Sequence, residues 1–86
     1  MEIKAIEVMG NLIILEKVIG VSAIRTVKNG LSDRTNFVIS YLSDKTIEIS
    51  EDKTPLFADF GEIIVCHTDT PLEELRNKII SIIKEK

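Results

Sequence analysis

The segment from Thr70 to Lys86 constrains this chain more than any other. Leu72, Leu75, Ile79, Ile82 and Ile83 recur at helical spacing, with Ile80 at the margin of the same face. Thr70 followed three residues later by Glu73 has the form of a capping box, in which hydroxyl and carboxylate each satisfy a free backbone N–H. Pro71 suits a first helical position because it has no N–H to leave unpaired. Asp69, Glu73 and Glu74 stand near the positive end of the dipole, and Lys84 and Lys86 near the negative end. The pattern predicts one helix over 70–86. Its apolar stripe, about 150° wide, requires a sheet face to cover it.

The residues before it, 1–67, read as mainly β. Ile6 and Val8 alternate with Glu7, while Ile3 and Ala5 are out of phase, which places a strand start near Ala5 or a bulge there. Gly10-Asn11 has the form of a two-residue hairpin turn. Leu12 to Leu15 is apolar on both faces and predicts a central strand. Val18 to Lys28 is a long β-rich run, expected to bend near Gly20, with its first half buried and Arg25 to Lys28 solvated. Asn29-Gly30 then breaks the chain, and 31–35 reads as a polar loop. The clearest hairpin joins Asn36–Leu42 to Thr46–Ser50 through Ser43-Asp44-Lys45. After Pro55, Leu56 to Phe60 lacks periodicity and reads as an irregular, partly buried lid. Ile63 to Cys66 is the last short strand.

Strands first and helix last predict a single α+β domain over 1–86, with about five to six strands in a curved antiparallel sheet and one C-terminal helix packed across it. The expected shape is a roll or half-barrel. The Gly10-Asn11 turn, the hairpin at Ser43-Asp44 and the terminal helix together resemble a small pleckstrin-homology-like roll, and also the short β-plus-helix proteins of the bacterial flagellum. The resemblance is one of architecture and carries no functional residues with it.

The chain is 44% hydrophobic, too apolar for intrinsic disorder. Its net charge of −3 is spread along the sequence, so no basic stripe offers itself to nucleic acid. One cysteine, Cys66, excludes an intramolecular disulfide. Glu2, Lys4 and Glu7 interrupt the first apolar segment, which argues against a signal peptide. The run Leu12-Ile13-Ile14-Leu15 is too short to span a bilayer. A cytoplasmic location is the expectation.

Little reactive chemistry is visible. Cys66 beside His67 provides two ligands where a zinc site needs three or four, and neighbours on a strand point to opposite faces. Asp52, Asp59, Glu62 and Asp69 are scattered carboxylates without metal-loop spacing. No catalytic residue, cofactor site or metal site is expected. Two groups invite a binding role. Arg25, Lys28 and Arg34 flank Asn29-Gly30 and form a possible anion contact. Leu56, Phe57 and Phe60 either seal the end of the sheet or meet a partner. The preferred reading is a small non-catalytic domain acting by protein contact or self-association, a homodimer being one form of the latter. The alternative is a pleckstrin-homology-like module holding an anionic ligand or lipid head group through 25–34.

Overall fold

A computed structural model describes residues 3–28 and 33–85. The elements run β1 (Ala5–Val8), β2 (Asn11–Ile14), β3 (Val18–Val21), β4 (Arg25–Lys28), β5 (Asp33–Tyr41), β6 (Thr46–Glu51), β7 (Phe57–Asp59), β8 (Ile63–Thr68) and α1 (Leu72–Lys84). The fold is α+β, with one helix across the sheet, as the strand-then-helix order predicts.

β1 and β2 form a separate two-stranded hairpin. Met9 and Gly10 are its turn residues, both with positive φ (51° and 83°). Those are the dihedrals of a type I′ turn, whose twist matches the strands it joins. The turn therefore sits one residue before Gly10-Asn11, because Val8 and Asn11 are paired. The remaining strands make a six-stranded open sheet in the order β3-β5-β6-β8-β7, with β4 also on β5, beyond the end of β3. The long run 18–28 is thus two strands along one neighbour, with a register shift between Val18 and Gly20. β5 begins at Asp33, earlier than the hydrophobic alternation indicates, because its polar first half pairs with solvated β4. The Asn29-Gly30 turn lies outside the described residues.

One pairing departs from the antiparallel pattern: β8 runs parallel to β6. The chain leaves β6, crosses through 52–56, forms β7 at the outer edge, and returns as β8 between the two. Leu56–Phe60 is therefore largely an edge strand, paired antiparallel to β8, where a lid was expected. With three residues it is too short for periodicity to reveal.

Register divides the sheet into two faces. Phe37, Ile39, Ile47, Ile49 and Cys66 share the inner face and are buried. Helix residues Leu72, Leu75 and Ile79 pack on them, and Val8, Ile13 and Leu15 of the hairpin complete the same core. The capping box does not form. The Thr70 N–H donates to Thr68 Oγ1 at 3.1 Å, and Pro71 takes the cap position with an extended ψ of 129° and no side-chain cap. The helix starts one residue too late for Thr70 to serve it.

β2 corrects the reading of a central strand. It lies in a two-stranded sheet, with Ile13 buried and Leu12 and Ile14 exposed at 64% and 41%. Apolar side chains on both faces here mean one face in the core and the other uncovered.

Candidate functional site: an apolar groove beside a free strand edge

Among the described residues, the hairpin β1–β2 shares no strand pairing with the main sheet. It is held instead by core packing and by a few polar ties. Lys4 Nζ donates to the carbonyls of Ile83 and Glu85 at the end of the helix (3.0 and 2.6 Å). The Leu42 N–H donates to Lys17 O, and the Tyr41 hydroxyl donates to Ile14 O. Between hairpin and sheet this arrangement leaves a groove of about 260 Å³. Leu12, Ile13 and Ile14 form one wall, and Tyr41, Ile47, Ile64 and Phe57 line the rest, with Ser43 and Lys45 from the β5–β6 turn.

Successive side chains of a strand point to opposite faces, so three consecutive residues line a groove only when the strand presents its edge. The hydrogen-bond pattern agrees. Leu15 N–H donates to Lys4 O at 2.8 Å, and bonded and unbonded pairs alternate in an antiparallel ladder. Ile13 therefore bonds to β1, while Leu12 and Ile14 turn their N–H and C=O groups outward. The Tyr41 hydroxyl on the Ile14 carbonyl confirms that direction. Burial raises the pKa of that phenol, so it remains a donor well above neutral pH. Among the described residues, nothing bonds the Leu12 N–H, the Leu12 C=O or the Ile14 N–H. They are unpaired backbone groups beside an apolar floor.

β7 is a second free edge beside this groove. Phe60 N–H donates to Ile63 O and His67 N–H to Leu56 O, so Phe57 and Asp59 turn their backbone groups away from β8. Of the residues considered for partner contact, Phe57 lines the groove and is 43% exposed. Leu56 and Phe60 are exposed but do not line it, Phe60 at 69%. Leu12 and Ile14, which the sequence assigns to a buried central strand, carry the wall. An apolar stretch on both strand faces was the available signal, and central burial was the wrong explanation of it.

The possible anion contact divides across the sheet. Arg25 pairs with Asn36, Val27 with Arg34, and Lys28 with Asp33. Paired residues share a face, so Arg25 and Arg34 stand on one side and Lys28 on the other. Arg25 Nε donates to Asn36 Oδ1 at 3.2 Å, and Asn36 Nδ2 donates to Glu48 Oε1 at 2.8 Å. That carboxylate also accepts from Ser50 Oγ at 3.3 Å. Arg25 is engaged in a polar chain, and the three cations do not converge.

The same chain aligns Arg25, Asn36, Ser50 and His67 in one register row across four strands of the outer face. His67 is buried. Its Nδ1 lies 2.9 Å from Thr54 O and 3.7 Å from Asp52 Oδ2, and its Nε2 has no partner among the described residues. Donation from Nδ1–H to the Thr54 carbonyl leaves Nε2 as an unused acceptor. Ser50 is buried with its hydroxyl committed to Glu48, so the row does not assemble an activated nucleophile. The Thr54 N–H on the Asp52 carboxylate, at 2.9 Å, holds its pKa below the ordinary 3.8, and His67 and Arg34 act in the same direction.

Cys66 points into the core, fully buried, and burial pushes its thiol pKa up. Asp59 accepts from the Gly61 N–H within its own turn. Among the described residues, no three His, Cys, Asp or Glu side chains gather where a metal would bind. No helix among them is long and apolar enough to cross a membrane. Comparison with protein-family models, with curated proteins and with solved structures gives no match.

Proposed function

We propose that this is a non-catalytic protein-contact domain that accepts an extended segment of a partner as an added strand on β2. The reading rests on one observation: the outward edge of β2 forms the wall of an apolar groove. In strand addition, backbone bonds supply affinity and the groove beneath selects alternate side chains. A groove of about 260 Å³ is smaller than the roughly 300–1,000 Å³ usual for small-molecule sites. A strand seated here would cover Leu12 and Ile14, large apolar side chains now in water. A buried, unpaired Cys66 suits work in the reducing cytoplasm.

The test is a titration of the 15N-labelled protein with the extended peptide acetyl-Thr-Val-Thr-Val-Thr-amide. Strand addition shifts the Leu12 and Ile14 amide signals and slows their exchange with solvent. Leu12→Pro removes one outward N–H without touching the bonds to β1, since proline is tolerated at such edge positions. That variant should keep its fold and bind weakly. A peptide N-methylated at each alternate residue makes the same test from the other side. Peptide shifts confined to residues away from β2 would contradict the proposal.

A further inference from the structure

Among the described residues, one charged side chain lines the groove, and it indicates what the occupant carries; the inference rests on the strand-addition reading. Lys45 lies at the end of the groove towards which β2 runs. The Tyr41 N–H donates to Lys45 O, the Tyr41 hydroxyl reaches Ile14 O, and the chain beyond Ile14 meets the same turn where Leu42 N–H donates to Lys17 O. Among the described residues, Lys45 forms no ion pair. Ser43 and Tyr41, both neutral hydroxyls, are the other polar side chains that line the groove.

Tyr41 also limits how far a new strand can pair. Its hydroxyl occupies the outward carbonyl of Ile14, leaving the Leu12 N–H, the Leu12 C=O and the Ile14 N–H for the newcomer. Three bonds correspond to a pairing of about three residues, since only alternate residues bond across a given edge. A strand ending there brings its next residue over Lys45.

We infer that the partner is a short apolar strand bearing an acidic residue at the end that lies beside Lys45, so that charge complementarity sets its register on β2. The backbone bonds hold any extended segment, and the floor of Ile47 and Ile64 favours an apolar side chain opposite Ile13. Neither fixes which residue of the partner lies at the Tyr41 end of that pairing. The carboxylate–ammonium pair does.

The experiment compares acetyl-Asp-Val-Thr-Val-Thr-Val-Asp-amide with the same peptide carrying Lys at both ends, at roughly physiological salt where distant charges are screened. Either strand direction then places the charge beside Lys45. For an exposed pair, the Asp peptide should bind the wild-type protein about two- to five-fold more tightly than the Lys peptide. Lys45→Glu should invert that order, and Lys53→Glu, a remote charge change, should leave it unaltered. Both peptides binding at Leu12 and Ile14 with a preference that Lys45→Glu does not change would overturn this inference and leave strand addition standing. Neither peptide binding at millimolar concentration would overturn both. Leu12 and Ile14 signals that move with protein concentration alone would give the groove to a second copy of the chain, and would also overturn the acidic-strand assignment.

Discussion

Ile13→Ala is the perturbation that the architecture makes most informative. Among the described residues the hairpin β1–β2 has no strand pairing with the main sheet, so its position depends largely on the side chains it sends into the core. Ile13 is the central one at 2% exposure, packed in the cluster that contains Phe37, Ile47 and Ile79. Truncating a fully buried isoleucine to alanine removes its transfer free energy and leaves a cavity, at a cost of about 2–5 kcal/mol. A domain of this size typically has about 5–15 kcal/mol in total. At about 4–8 °C per kcal/mol, the melting temperature should fall by about 8–40 °C. Leu12→Ala is the matched control. It removes a similar side chain one position away, but from a site 64% exposed, and should cost less than about 0.5 kcal/mol. Thermal unfolding followed by circular dichroism, with chemical denaturation as a second measure, reads both. Similar losses for the two variants, or an Ile13→Ala protein melting within a few degrees of the wild type, would refute the assignment of β2's faces. The groove wall would fall with it.

Three further outcomes follow from the same structure. Tyr41→Phe deletes the hydroxyl on the Ile14 carbonyl and should lower stability by about 1 kcal/mol, measured by denaturant unfolding; no change would mean that the bond is not made in solution. Asp52 has a folded pKa below its unfolded value, so its contribution is present above the ordinary carboxylate pKa and is lost as pH falls through the folded one. Melting curves from pH 7 down to pH 2.5 should show a smaller acid-side loss for Asp52→Asn than for the wild type, and equal losses would count against the Thr54 and His67 contacts. Cys66, buried and with a raised thiol pKa, should resist iodoacetamide until the protein unfolds, so its alkylation rate should climb steeply with denaturant.

The helix and the β5–β6 hairpin were legible from the sequence because each displays its period over enough residues. Leu72, Leu75 and Ile79 repeat along one face of α1, and Ile47 and Ile49 alternate with exposed or polar neighbours in β6. What could not be read depended on pairing partners. Nothing in 52–62 states that the chain will pass beyond the place of β8 and return parallel to β6, since each strand there is short and its neighbour is chosen by packing. β2 shows the same difficulty from another side. The apolar run Leu12–Leu15 is consistent with burial on both faces, and equally with one face in the core and one exposed. The Thr70–Glu73 spacing failed for a local reason, because the Thr68 hydroxyl captures the Thr70 N–H and Pro71 remains extended. The division of Arg25 and Arg34 from Lys28 required the β4–β5 register, which Asn29-Gly30 alone does not reveal.

Amide hydrogen exchange along β2 in the free, dilute protein tests the central geometry most directly. Alternation is expected: slow exchange at Ile13, whose N–H bonds to β1, and at Leu15, whose N–H bonds to the Lys4 carbonyl just before it, and fast exchange at Leu12 and Ile14, whose N–H groups face the groove. Uniform protection across 12–15 would show that this edge is already occupied, and would contradict it.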